Sequence, residues 1–390
     1  MDNSLKKILS SGFSSISNIF GSDKSSVSVL GVDVGSSAIK VVQLKTKGGK
    51  AILETYGSIS LGPYGNVPVG QVTNLPTDNI SQAILDLLKE SNTTTHSGVV
   101  AIPSSSSLIF TIALPSNVTE SDLKTIVPTE ARKYIPVPIS EITLDWFMIP
   151  REATVFENNL SQQNPTNNGL PPAEKQVKSD KVEVLVVAIH NETLSRYQEI
   201  LKKSQLQSDS FEMEIFANIR SSFNHDVAPV LLMDFGASKT KLSIVDAGIV
   251  RVFHVVNRGS QDITHNISSS LNIPFEDAEK LKRSVGLDPS RNPEVASIVK
   301  LSTDYIFSDT NSVVLAYEKK YNISVGKIIL SGGGSMLSGL SEAASAVFHA
   351  EVLRADPFAK VEAPAFLDPI LKNIGPEFAV AVGLALRSLS

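Results

Sequence analysis

Residues 30–44 read LGVDVGSSAIKVVQL, and residues 231–245 read LLMDFGASKTKLSIV. At an offset of 201 residues the two align without a gap: Asp33 meets Asp234, Gly35 meets Gly236, Ser37 meets Ser238 and Lys40 meets Lys241. Each copy reads as an apolar strand, an acidic residue near its end, a glycine-containing turn and a returning strand. A single Asp-x-Gly turn is ordinary hairpin punctuation. Two in register, each followed by a further strand, point to a duplicated lobe.

The turn carries a chemistry of its own. Glycine lets the main chain approach a ligand closely, and successive N–H groups form a nest for phosphate oxygens. The aspartate at the strand end sets a carboxylate beside that nest. It can hold Mg2+ through water, because Mg2+ sheds its hydration shell reluctantly. Asp33 and Asp234 are therefore the candidate metal residues, and Lys40 adds a point charge for phosphate. Two such hairpins facing each other would clamp a polyphosphate from both sides. A third element, IILSGGGSMLSGL at 328–340, reads as strand, triple-glycine loop and helix start. Such a loop admits a flat base or a phosphate near a helix N-terminus. No Gly-x-x-x-x-Gly-Lys-Ser/Thr occurs, which argues against a P-loop NTPase. Gly332 opens no dinucleotide fingerprint either, since the first strand-turn-helix unit is missing.

Working outward, residues 1–26 are expected to be an N-terminal amphipathic, flexible segment, since Leu5, Ile8, Leu9, Phe13, Ile16, Ile19 and Phe20 would fall on one stripe of a helix. Residues 4–20 are candidates for contact with a membrane surface or a partner, the alternative being a tail with a chance pattern. The first lobe is expected over 27–103 and again over 191–227, around an inserted subdomain at 104–190. Within the insertion, Thr119 opens a helix with Asp122 completing a capping box, and Pro128 is expected to kink or restart that helix. Residues 157–180, rich in Asn, Gln, Pro and Lys, are predicted to be a disordered loop. The second lobe is expected at 228–258 and 326–390, with a helical subdomain at 259–325 and a buried helix from Glu377 to Leu389.

Bulk properties narrow the class. Of 390 residues, 42% are apolar and 19% charged, so most of the chain is globular. The net charge of −5 argues against a nucleic-acid partner. Cysteine is absent, which excludes disulfides and thiolate metal sites. No apolar stretch reaches the length needed to span a bilayer, so the expected location is cytoplasmic.

The two hairpins and the late glycine loop together resemble the phosphate-1, phosphate-2 and adenosine motifs of the actin-like ATPase superfamily. EARKYIPVPISEITLDW at 130–146 is similar to an inserted stretch of its PilM branch, the type IV pilus assembly family related to FtsA. GIVRVFHVVNRGSQDITHNISSSLNIPFEDAEKLKRSVG at 248–286 looks like that branch's second-lobe signature. The resemblance implies an α/β, two-lobed actin-like (ribonuclease H-like) ATPase fold with an inserted subdomain of the FtsA/PilM, or SHS2, type. It implies nucleotide contacts at Asp33, Gly35, Ser36, Ser37 and Lys40 in the first hairpin and at Asp234, Gly236, Ala237 and Ser238 in the second. The Glu-x-x-Lys pair Glu279 and Lys282 is implied at adenosine, or else is a solvated helix face. Gly332, Gly333, Gly334 and Met336 complete the implied set.

The same resemblance implies ATP with Mg2+, and a cytoplasmic scaffold at the inner face of the inner membrane. Its implied partner is the short cytoplasmic N-terminal tail of the membrane protein PilN, with other pilus membrane and motor components beside it. Tyr134 to Trp146 are candidates for a peptide groove, with core packing as the alternative for Tyr134, Ile135 and Trp146. Pro128 departs from the family's helix and implies a reshaped groove. An FtsA-like division filament protein and a small-molecule kinase of the same superfold are the alternative functions. No acceptor-site motif for a kinase is present, and Glu214, in the link between lobes, either positions water or is structural. At most slow ATP turnover is expected.

Overall fold

The computed structural model describes residues 27–149 and 181–389, apart from Asp209, His225 and Val227. The amphipathic segment 1–26, with its candidate surface at 4–20, and the loop 157–180 lie outside the described residues. The described chain divides into two compact units, one formed by residues 107–191 and the other by the residues on either side of them.

The larger unit contains two five-stranded sheets of the same design. In the first, β1 (Ser28–Val34), β2 (Ala38–Lys47) and β3 (Lys50–Ser60) form an antiparallel meander. β4 (Gly98–Ile102) and the short β8 (Phe211–Met213) add in parallel beyond β1, giving the order β3-β2-β1-β4-β8. The second sheet repeats this with β9 (Val230–Phe235), β10 (Thr240–Asp246), β11 (Ile249–Val256), β12 (Lys327–Ser331) and β13 (Glu351–Arg354), in the order β11-β10-β9-β12-β13. Asp33 faces Lys40 across the first hairpin and Asp234 faces Lys241 across the second. The duplication reaches a detail that the residues alone do not reveal. The ladder slips between Gln43 and Leu44 in one lobe and between Ile244 and Val245 in the other, the same step in both copies. Each slip is a bulge that bends its outer strand and sharpens the local twist.

Central strands of such sheets are covered on both faces and read as near-continuous apolar runs; β1 and β9 are buried along almost their whole length. The cover over β1 and β4 is α9 (Asp368–Arg387), which also crosses α4 (Glu214–Ser222) at close range. The close crossing depends on a glycine, because a Cβ at Gly383 would overlap the carbonyl oxygen of Ala217. Gly383→Val is therefore expected to cost about 2 kcal/mol or more through overpacking. Urea denaturation tests this, and a midpoint unchanged from wild type would mean that α9 can simply shift. Helix α9 begins earlier than the expected Glu377 and runs through Pro376. Together with the turn before it, Ala365–Arg387, it is long and apolar enough to cross a membrane, yet 61% of its apolar window is buried inside the protein. It is a core helix.

Helices complete the larger unit. α1 (Thr77–Glu90) puts Ile80, Ala83, Ile84, Leu87 and Leu88 on its buried face. α3 (Asn191–Lys203) runs into the first lobe from the smaller unit. The second lobe's helical part is α5 (Ser260–Leu271), α6 (Phe275–Val285) and α7 (Pro293–Tyr321), packed into one core with the sheet and with α8 (Leu340–Phe348). A short 3-10 turn, Gly333–Met336, lies within the glycine loop, and α8 begins at Leu340, at the end of the 328–340 stretch.

The smaller unit is a three-stranded antiparallel sheet in the order β5-β7-β6, with β5 at Ser107–Pro115, β6 at Ile142–Met148 and β7 at Lys181–His190. Helix α2 (Glu120–Ala131) starts with the expected capping box from Thr119 and Asp122. It does not restart at Pro128, one of the two outcomes the sequence suggests, but continues through it as one helix. The reason is tertiary. Leu123, Val127 and Ala131 are essentially inaccessible against Val184, Val186 and Ala188 of the sheet. Only three residues follow the proline, so little helix is left to disrupt.

Candidate functional site

Strand topology places the chemistry. Asp33 and Asp234 stand near the carboxyl ends of β1 and β9, Ser104 follows β4, Glu214 follows β8 and Gly332 follows β12. Ligands of open α/β sheets bind beyond the carboxyl ends of the strands. There the two lobes of the larger unit leave a cleft of about 660 Å³, within the usual size of a small-molecule pocket. All fifteen residues implied for the nucleotide, from Asp33 to Met336, line it, as does Glu214.

The two turns are built alike. Gly35 N donates to Ala38 O, and Gly236 N donates to Lys239 O, each at 3.1 Å. Their carbonyls are held from behind. Ser36 O and Ser37 O accept from Thr73 N and Leu61 N, while Gly236 O and Ala237 O accept from the first N–H groups of α5, those of Ser260 and Gln261. The N–H groups of Ser36, Ser37, Ala237 and Ser238 donate to no protein group among the described residues. Each turn thus presents a pair of unspent donors, the arrangement that receives phosphate oxygens. The glycine loop packs tightly beside the second turn. Gly332 has φ 79°, and a Cβ there would overlap the Asp234 carboxylate, so only glycine fits.

The two aspartates differ. Lys241 Nζ lies 2.8 Å from Glu214 Oε2 and 3.2 Å from Asp234 Oδ2, and the other Glu214 oxygen accepts from Ser104 N at 2.6 Å. Burial alone would lower the Lys241 ammonium, but Asp234 and Glu214 on either side hold it well above the usual lysine range. Asp33 takes no hydrogen bond or ion pair among the described residues. Burial, only partly offset by Lys40, raises its carboxyl from the ordinary 3.8 to about 6. Of the two, Asp33 keeps its oxygens free for a metal's water shell.

Glu279 and Lys282 form a buried network rather than a solvated face. They pair at 2.6 Å, and both bond Thr264. Burial would raise the Glu279 carboxyl, yet Lys282, Thr264 and Arg283 together bring it below its usual range. Burial lowers the Lys282 ammonium, against the pull of Glu279. From the first lobe, residues 61–76 cross the cleft mouth as a strap. Val69 and Gly70 line the cleft, Gly70 stands against Glu279, and Val72 N donates to Gln261 Oε1 at 3.1 Å.

Sequence reasoning passes over Lys241 as a site residue, although the repeat pairs it with Lys40. Asn218, Ser260, Asn373 and Glu377 also line the cleft. They arrive on helices distant in sequence and carry no local signal.

Paired sheets of one design around a single cleft define an actin-like ATPase fold. The chain belongs to the type IV pilus assembly protein PilM family, whose model matches residues 31–160 and 172–389. A solved PilM-PilN type IV pilus biogenesis complex matches with a TM-score of 0.75 and 25% identity, over 93% of this chain and 99% of that one. The ethanolamine utilization protein EutJ of Carboxydothermus hydrogenoformans shares the fold at a TM-score of 0.51 and 16% identity, over 95% of this chain and 91% of that one. Among curated proteins, the cell division protein FtsA of Pseudomonas aeruginosa is 24% identical over 233 residues, and that of Escherichia coli K12 is 23% identical over 270. The matches cover 54% of this chain and 54% of the first FtsA, and 60% of each chain for the second. This chain therefore spans little more than half the length of those relatives.

Proposed function

We propose that this chain is an ATP-binding scaffold of the type IV pilus assembly machinery, working on the cytoplasmic face of the inner membrane. On this reading it captures the short tail of a PilN-like membrane protein, alongside other components of the pilus motor. The observation that carries the nucleotide reading is the facing pair of turns with unspent N–H donors beside a free, buried carboxylate. When bound, Mg2+ would supply positive charge to the polyphosphate. Asp33 would hold it through water, Asp234 would support it with the oxygen not facing Lys241, and Lys40 would face the phosphates. The glycine loop and the Glu279–Lys282 pair would flank the nucleoside.

Turnover is slow or absent on this reading. Both oxygens of Glu214 are engaged, one by Ser104 N and one by Lys241. Both bonds lower the basicity of Glu214 toward water or an acceptor hydroxyl, which disfavours fast turnover and the kinase alternative.

For the peptide, the smaller unit offers Tyr134, which is 55% exposed and stacks on Phe110 at 5.1 Å. Ile135 and Trp146 belong instead to that unit's core. Exposed aromatics of this kind are frequent anchors of binding surfaces. Anisotropy of a fluorescent PilN-like tail peptide should show Tyr134→Ala weakening capture by about tenfold. Equal affinity in wild type, in Tyr134→Ala and in a chain lacking residues 107–191 would sink the peptide reading. Calorimetric titration with Mg-ATP tests the nucleotide reading separately.

A further inference from the structure

The two lysines related by the repeat do different work. Lys40 forms no ion pair among the described residues and lines the cleft. Lys241 is committed. Its ammonium sits among Asp234, Glu214 and, further off, Asp33, three carboxylates brought to the carboxyl ends of three separate strands. Three acids in one partly dehydrated place repel one another and require a cation. The distances of 2.8 and 3.2 Å to two carboxylate oxygens match those of a small monovalent ion in direct contact. A lysine ammonium is a compact point charge of that kind, and here its stem is fixed in the β9–β10 ladder opposite Asp234.

We propose that Lys241 is a tethered monovalent cation, its ammonium filling the place that a free potassium or ammonium ion would otherwise take between Asp234 and Glu214. The chain thereby carries its own counter-ion and holds its cleft in shape without any monovalent ion from solution. Lys241→Ala opens a vacant site for such an ion, lined by Asp234 Oδ2 and Glu214 Oε2. The double variant Lys241→Ala/Glu214→Gln removes one of the two walls along with the tether.

The test is thermal melting of the nucleotide-free full chain in potassium, ammonium or tetramethylammonium chloride, all at about 100 mM so that screening is constant. Wild type should melt at one temperature in all three salts. Lys241→Ala should melt lower in tetramethylammonium and recover in potassium or ammonium, and the double variant should lose that recovery. A single variant that folds only in potassium or ammonium supports the proposal. One that melts like wild type in tetramethylammonium overturns it, as does one that fails to recover, or to fold, in any of the salts. A second arm rests on the nucleotide reading and repeats the series with Mg-ATP as probe. There Lys241→Ala should bind at least about tenfold more weakly in tetramethylammonium than in potassium. Absence of ATP binding by wild type would sink the nucleotide reading alone, and the melting arm would still decide on Lys241.

Discussion

Asp33→Asn is expected to abolish a loss of folding stability of about 3 kcal/mol that the wild-type chain undergoes between about pH 4 and pH 7. The carboxyl is raised in the folded chain from 3.8 to about 6, chiefly by burial. At acid pH both folded and unfolded chains keep the proton. As pH rises past 3.8 the unfolded chain releases it while the folded chain retains it, so stability falls until the folded group also ionises near 6. Asparagine has no such proton and no such slope. The same substitution should remove the Mg2+-dependent part of nucleotide affinity, because an amide gives a metal's water shell a poorer acceptor than a carboxylate. Urea midpoints for both proteins across that range, with titrations of Mg-ATP at neutral pH, measure the two effects together. Parallel stability curves would show that Asp33 is not held at a cost. A residue that destabilises its own fold and binds the ligand better for it is the expected signature of a functional carboxylate.

Glu212→Ala should cost about 3–5 kcal/mol, since it strips a buried ion pair of its only acid. Glu212 is fully inaccessible. It accepts two bonds from Arg220 at 2.8 and 2.6 Å, and Arg387 approaches to 3.8 Å. Both arginines also reach main-chain oxygens, Arg220 that of Gly383 and Arg387 that of Phe211. One carboxylate therefore joins β8, α4 and the end of α9. Its removal takes from the Arg220 guanidinium the carboxylate that pairs with it at 2.6 Å and loosens the helix that supplies Asn373 and Glu377 to the cleft. Chemical denaturation of the nucleotide-free chain is the measurement, and a loss below about 1 kcal/mol would show the network to be dispensable.

The fold was legible mainly through its repetition. Asp33 to Lys40 and Asp234 to Lys241 each form a local hairpin, and local hairpins write themselves into contiguous sequence. What escaped was set by tertiary packing. β8 and β13 are short strands at the outer edges of their sheets, stabilised by a neighbouring strand rather than by a pattern of their own. Pro128 reads as a break, yet its helix runs on because its apolar face is already committed to a core, and α9 starts before the expected Glu377 and includes Pro376 for the same reason. The cleft-lining glycines of the two turns and the glycine loop could be named because each lies in a short motif, whereas Gly70, on the strap, could not. The engagement of Glu214 by Lys241 could not, because it joins the start of α4 to a strand of the other lobe. Charges that meet only in three dimensions leave no period in one.

The strap over residues 61–76 ties the first turn, through Thr73 and Ser36, to α5 of the opposite lobe, through Val72 and Gln261. On the proposed nucleotide reading it would act as a lever with its fulcrum at the first turn. Parting the lobes must break the Val72 contact and strain the turn, and filling the turn must resist their parting. Such linkage is reciprocal by thermodynamic necessity. A partner that favours the parted lobes would expel nucleotide by the same factor with which nucleotide dislodges that partner. Assembly on this chain would then be read out as a change in its affinity for nucleotide.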